Sequence, residues 1–142
     1  MSRVECDEAR CSGCLACVVA CLDQHYDATE KNAVSPRIYE MRKRGHSDLE
    51  TYITRSCLHC EDAVCLKVCG FGALKRDERG FVIPVRENCK GCRLCQKACP
   101  HDVPRFDQEG KIVKCDGCSV RVSMGMEPAC VRACNTGALK QV

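Results

Sequence analysis

Apolar positions in this chain come in short bursts that suit two-stranded hairpins and single helical turns rather than long amphipathic elements. Residues 73–76 and 81–85, split by the turn residues 77–80, read as a hairpin, and Pro84 marks its second strand as an edge. A second hairpin is expected from residues 37–41 against 52–54, joined by a basic, polar loop. Ile38, Tyr39, Tyr52 and Ile53 would give it an apolar side, while Arg42-Lys43-Arg44 stays wet. Val18-Val19-Ala20 has the spacing of one helical turn, so the fourth cysteine of each group described below is expected in a short helix leading away from its motif.

The 142 residues make one domain by length, yet they hold seventeen cysteines. Cysteine is about 12% of the chain, and without it the hydrophobic fraction falls to about a third. There is no Trp and there are only three Tyr and three Phe. Inorganic clusters have to supply the missing core volume, and metal-free protein is expected to be largely unfolded. A disulfide framework fits poorly, because the cysteine count is odd and Met1-Ser2-Arg3-Val4-Glu5 opens into the first motif without a secretory leader. No apolar run approaches the length of a membrane span and no twin-arginine signal is present, so a cytoplasmic location is expected, or a periplasmic one if a signal-bearing partner carries the chain.

Sixteen of the cysteines fall into four groups of four. Groups one and three, Cys11-Cys14-Cys17-Cys21 and Cys89-Cys92-Cys95-Cys99, share the spacing C-x2-C-x2-C-x3-C, the bacterial ferredoxin signature, in which the fourth cysteine ligates the neighbouring cluster. Groups two and four stretch one interval: Cys57-x2-Cys60-x4-Cys65-x3-Cys69 and Cys115-x2-Cys118-x11-Cys130-x3-Cys134. Sixteen thiolates so arranged imply four [4Fe-4S] clusters. In groups one, three and four the second cysteine follows glycine (Gly13, Gly91, Gly117), which permits strained dihedrals and close approach to cluster sulfur. Group two has His59 there, expected to be a hydrogen-bond donor to sulfur or a turn residue rather than a ligand. Cys6 is left over and is expected to be a buried, inert thiol, with ligand or redox sensor as alternatives.

An offset of 78 superimposes group one on group three, and Cys69-Gly70-Phe71-Gly72-Ala73-Leu74-Lys75 matches Cys134-Asn135-Thr136-Gly137-Ala138-Leu139-Lys140. Duplication with a pseudo-twofold arrangement is the simplest explanation. By this repeat, residues 3–6 should pair with 138–141, bringing the chain ends together. Residues 22–56 lack cysteine and look like an insertion, either a surface cover for the clusters or a docking surface for a larger subunit.

The formal charge of +3 invites a nucleic-acid reading. Four oxidised clusters with their thiolates contribute about −8, which brings the loaded protein to about −5. Basic residues therefore mostly offset cluster charge, and no aromatics interleave with Arg42-Lys43-Arg44, so nucleic acid is not an expected partner.

The order of groups, the segment Cys57-Leu58-His59-Cys60-Glu61-Asp62 and the closing Gly137-Ala138-Leu139 resemble the four-cluster iron-sulfur subunits that accompany molybdenum or tungsten enzymes, such as dimethyl sulfoxide reductase, formate dehydrogenase, polysulfide reductase and respiratory nitrate reductase. The resemblance spans essentially all of residues 1–142 and implies a single α+β polyferredoxin domain, a duplicated bacterial-ferredoxin-like fold with an inserted hairpin. It also implies which cysteines serve together. Cluster one would take Cys11, Cys14, Cys17 and Cys134; cluster two Cys21, Cys115, Cys118 and Cys130; cluster three Cys57, Cys60, Cys65 and Cys99; cluster four Cys69, Cys89, Cys92 and Cys95. Only Pro100 supplies the proline that usually follows a ferredoxin run, with Leu22, Gly70 and Asn135 elsewhere. With Val142 as the last residue of the sequence, the C-terminal extension that reaches a membrane anchor in some relatives is not expected.

The expected role is a non-catalytic wire subunit between a large Mo/W-pterin oxidoreductase subunit and a further redox subunit or soluble carrier. With every iron held by a protein thiolate, no coordination position remains for substrate. In a chain whose radius of gyration is roughly 15 Å, neighbouring clusters cannot be far apart. A free polyferredoxin shuttle, or a linker to a hydrogenase or carbon monoxide dehydrogenase, is the main alternative. A multi-zinc module does not need the C-x2-C-x2-C-x3-C run, and no dinucleotide fingerprint or radical-SAM spacing supports an independent enzyme.

Overall fold

The computed structural model describes residues 3–27, 30–43, 45 and 49–142. Met1 and Ser2 of the chain opening, Arg44 of the basic run and residues 46–48 of its loop lie outside the described residues. The chain is a small α+β structure of five short helices and four two-stranded antiparallel sheets among the described residues.

The first sheet joins the chain ends, pairing β1 (Val4–Cys6) with β8 (Leu139–Gln141) in the register Val4 to Gln141 and Cys6 to Leu139. The hairpin expected at residues 73–85 is β4 (Leu74–Arg76) with β5 (Val82–Pro84). Asp77 Oδ1 accepts the backbone N–H groups of Arg79 and Phe81, which fixes the turn. Corresponding flanks carry the same bond: Asp7 N–H donates to Ala138 O and Val85 N–H to Ala73 O, each at 2.7 Å.

The hairpin of the cysteine-free stretch is longer than expected, β2 (Ile38–Lys43) with β3 (Glu50–Arg55). Its apolar side is corrected by the register. Tyr39 stands opposite Thr54 and Met41 opposite Tyr52, whereas Ile38 faces Arg55 and Ile53 faces Glu40. Strand alternation sends neighbouring residues to opposite faces, so the two tyrosines stack on one side and the two isoleucines lie on the other with an Arg–Glu pair. A further hairpin, β6 (Arg105–Phe106) with β7 (Ile112–Val113), was not expected.

The helices also differ from the expectation. In α1 (Ala16–His25), α2 (Val64–Val68), α3 (Leu94–Ala98) and α5 (Ala129–Ala133) it is the third cysteine of a group, Cys17, Cys65, Cys95 or Cys130, that occupies the second helical position. Only Cys21 lies inside its helix; Cys69, Cys99 and Cys134 cap the C-terminal ends. The tight turn of the motif ends where the helix begins, so the helix starts one cysteine earlier than the apolar triplet suggested. A fifth helix, α4 (Ser119–Ser123), follows Cys118.

Helix α1 packs on α5 and α2 on α3. Two apolar clusters result. One gathers Ala63, Leu74, Val82, Cys89, Cys95 and Ile112; the other gathers Cys17, Cys130 and Leu139 with Val4, Cys6 and Cys134. Leu74 and Leu139, equivalent in the sequence repeat, are each buried in one of them.

Candidate metal centres

The loops that carry the first two cysteines of each group bend through left-handed backbone. Gly13, Gly91 and Gly117 have φ of 73°, 73° and 72°, and His59, at the equivalent place in group two, has φ 49°. Glycine is needed for space as well as for dihedral freedom. A β-carbon would stand 2.7 Å from the Tyr52 ring at Gly13 and 2.8 Å from Gly110 O at Gly91.

Three cavities collect the cysteines. One is lined by Cys57, Cys60, Cys65 and Cys99, with Val82, Pro100 and Val103. A second is lined by Cys69, Cys89, Cys92 and Cys95, with Leu74, Phe106 and Ile112. A third is lined by five cysteines, Cys21, Cys57, Cys115, Cys118 and Cys130, together with His25, Arg37, His59 and Phe81, so Cys57 borders both this cavity and the first. Cys11, Cys14, Cys17 and Cys134 border no described cavity, although Cys17 and Cys134 share one apolar cluster and Cys11 lies close enough to Cys6 and Cys17 for their charges to raise its pKa, after burial. Cys6, expected to be buried, is half-buried. Cys14 and Cys92 are exposed.

The donor set around the sulfurs suits anionic, thiolate-bound clusters. Backbone N–H groups of His59, Ile112 and Gly117 point at Cys57, Cys89 and Cys115 Sγ, each at 3.3 Å. Thr54 Oγ1 lies 3.5 Å from Cys17 Sγ and Thr136 Oγ1 3.5 Å from Cys134 Sγ. Burial raises the thiol pKa of Cys95 and Cys130 to about 11 and of Cys115 to about 12, so metal ligation there must expel protons.

His59 is 1% exposed and takes the edge of the Phe81 ring at 5.1 Å. Its Nδ1 accepts the Val82 N–H at 3.0 Å, so the ring proton sits on Nε2, which faces Cys115 Sγ at 3.8 Å. Burial pushes its pKa down to about 3 and keeps the ring neutral. It is therefore a donor toward a cysteine of group four, which meets Cys57 of its own group at the third cavity.

Several residues around the third cavity were not anticipated. His25 continues the face of α1 after Cys17 and Cys21 at intervals of four, a signal legible in the sequence. Its Nδ1 lies 2.9 Å from Cys21 O and its Nε2 2.9 Å from Asp116 Oδ1, and the bond to Asp116 chiefly raises its pKa to about 11. Asp116 Oδ1 also accepts the Cys118 N–H at 2.8 Å. Buried Arg37 and Lys114 had no signal, because isolated basic residues ordinarily face solvent.

Residues 49–142 match the family described as a 4Fe-4S dicluster domain. The chain is 44% identical over 144 residues to the B subunit of the anaerobic dimethyl sulfoxide reductase of Haemophilus influenzae, covering 94% of this chain and 69% of that protein. It is 38% identical over 152 residues to the iron-sulfur subunit of the nitrate-inducible formate dehydrogenase of Escherichia coli, covering 94% and 51%. Identity to the thiosulfate reductase electron transfer subunit of Salmonella typhi is 40% over 138 residues, covering 94% and 71%. Seventeen cysteines in four groups of four plus one fit four [4Fe-4S] clusters. The chain belongs to the 4Fe-4S dicluster domain family, among iron-sulfur and electron-transfer subunits of oxidoreductases.

Proposed function

We propose that this chain is the electron-transfer subunit of an oxidoreductase complex, passing electrons through four [4Fe-4S] clusters between a large catalytic subunit of the Mo/W-pterin type and a second redox partner. The ligand sets are Cys11, Cys14, Cys17 and Cys134; Cys21, Cys115, Cys118 and Cys130; Cys57, Cys60, Cys65 and Cys99; and Cys69, Cys89, Cys92 and Cys95. The observation that carries this is the lining of the cavities: two of them collect four cysteines drawn from two different groups, and the third collects Cys21 with Cys115, Cys118 and Cys130, with Cys57 of group two also on its wall.

Residues 1–142 act as one polyferredoxin domain, a duplicated ferredoxin-like unit with residues 22–56 inserted. The matched bonds at Asp7 and Val85 and the paired burial of Leu74 and Leu139 support the duplication. The inserted hairpin serves both as a cover and as a docking surface. Tyr52 lies over Gly13, Thr51 bonds Glu8, and Arg55 bonds His101 O, while Tyr39 and Met41 stay exposed. Among the described residues no helix is long and apolar enough to cross a membrane; we place the chain on the cytoplasmic side unless a partner carries it across.

Anaerobic purification with tag pull-down, iron and sulfide counts and electron paramagnetic resonance tests this reading. About sixteen irons per chain and a co-purifying pterin subunit are expected. Zinc in place of iron overturns it, and full loading with no partner identifies a free shuttle instead.

A further inference from the structure

Arg37 is 3% exposed. Its Nε donates to Thr54 Oγ1 at 2.9 Å, Nη1 to Ser56 Oγ at 2.9 Å and Nη2 to Thr54 O at 3.1 Å, while Nη1 also lies 3.8 Å from Cys130 Sγ. Among the described residues it forms no ion pair with a carboxylate. A guanidinium cannot shed its proton, so it cannot escape the cost of burial by neutralising itself. Buried charges without a counter-charge are strongly disfavoured. Hydroxyl and carbonyl partners satisfy its hydrogen bonds but leave its charge uncompensated.

Lys114, 4% exposed, repeats the pattern nearby, with Nζ donating to Cys115 O at 2.7 Å and to Val82 O. Of the carboxylates whose charge reaches His59, Asp116 is bonded to His25 and Asp77 to Ser119. The other two cavities differ. The buried Lys114 charge reaches Cys65 as well as Cys115, so it is Arg37 that sets the third cavity apart: the cavity of Cys69, Cys89, Cys92 and Cys95 is flanked by Lys90 and Arg93, both exposed, and that of Cys57, Cys60, Cys65 and Cys99 has Asp62 and His101, also exposed. Water screens those charges, whereas it does not screen Arg37.

We infer that Arg37 is the built-in counter-charge of the cluster held by Cys21, Cys115, Cys118 and Cys130, and that it makes this centre the most readily reduced of the four, an electron resting place inside the wire. The inference rests on the ligand sets proposed above. Reduction adds one electron and one negative charge to a thiolate-bound cluster, with no bond made or broken. A fixed cation beside Cys130 Sγ favours the more negative state. The N–H of His59 toward Cys115 Sγ acts in the same direction. Arg37 is a positioning and potential-setting residue, and it touches no substrate.

The test is a potentiometric titration followed by electron paramagnetic resonance on the whole chain, loaded and purified without oxygen. Arg37→Gln and Arg37→Lys are compared with wild type, and Cys115→Ser marks the centre concerned. In wild type the centre perturbed by Cys115→Ser should fill first on stepwise reduction. Arg37→Gln should lower the reduction equilibrium of that centre by about tenfold, which is about 59 mV for one electron, and leave the other three in place. Arg37→Lys should retain most of the difference. Should Arg37→Gln instead lose a quarter of its iron while Arg37→Lys keeps it, the counter-charge role also stands. Equal behaviour of the two variants, unchanged midpoints, or a shift in a centre that Cys115→Ser does not perturb overturns the inference. Wild type with fewer than four clusters overturns the ligand sets, and this inference with them.

Discussion

Phe81 closes over Gly117 so tightly that a β-carbon on the glycine would stand 2.4 Å from ring atom Cδ1. The ring is 2% exposed and packs T-shaped against His59, so it has little room to retreat. Gly117 also has φ 72°, which costs a residue with a side chain about 1–2 kcal/mol. With overpacking added, Gly117→Ala should cost about 2–4 kcal/mol and impair loading of the adjacent centre. Gly125, at φ 76° with nothing within 4 Å of an added β-carbon, is the control, and Gly125→Ala should cost only about 1 kcal/mol. Anaerobic denaturant unfolding and iron content report both.

The legible part of this chain is the part set by local spacing. The β4–β5 hairpin could be read because Asp77 and Gly80 bracket a turn between alternating strands. The β6–β7 hairpin uses the same device: Asp107 Oδ1 accepts from Glu109 and Lys111 N–H as Asp77 does from Arg79 and Phe81. With strands of two residues, alternation was too short to register, although the turn chemistry was in plain view. Motif order and resemblance gave the cysteine sets proposed above, but not the position of Cys57 on the cavity of Cys21, Cys115, Cys118 and Cys130. Arg37 and Lys114 did not, because their burial is created by segments distant in sequence packing around sulfur, and nothing local distinguishes them from solvated cations.

His59 is the one side chain standing where other groups have glycine, and replacing it sets two effects against each other. His59→Gly relieves a left-handed strain of about 1–2 kcal/mol. It also orphans the Val82 N–H, at about 1–3 kcal/mol, and empties a buried ring site. Loss should win by about 2–4 kcal/mol, read as a lower unfolding midpoint of the loaded protein. A variant more stable than wild type would show that backbone strain, not the ring, dominates at this position.

Cluster assembly should release protons, and the sign follows from burial. Cys95 and Cys130 are raised from 9.0 to about 11 and Cys115 to about 12, so these thiols are protonated at neutral pH and must become thiolates to bind iron. Raising the pH should therefore favour loading, with Cys95, Cys115 and Cys130 each releasing roughly one proton on ligation both near pH 7 and near pH 9, since both lie below their raised values. For the small folded fraction expected of the metal-free chain the direction is opposite. A folded pKa above the open-chain value holds a proton that unfolding releases, so its stability is present below 9.0 and is lost as pH rises toward 11–12. Proton release measured in weakly buffered reconstitution, and unfolding across that range, check the two signs separately.

The exchange of fourth cysteines makes the sharpest demand on chemistry far apart in sequence. Cys134 belongs to group four, yet by the proposed sets it completes the cluster of Cys11, Cys14 and Cys17, while Cys21 leaves group one for the cavity of Cys115, Cys118 and Cys130. In those sets, the packing of α1 on α5 would let each helix hand its last cysteine to the other group. Cys134→Ser should then disturb the same paramagnetic signal as Cys14→Ser, and Cys21→Ser the same signal as Cys115→Ser. Cys6→Ser should leave about sixteen irons in place, since four complete sets exist without it. If Cys134→Ser instead paired with Cys115→Ser, each group would hold its own cluster, and the helix packing would have lost its purpose in wiring two centres together.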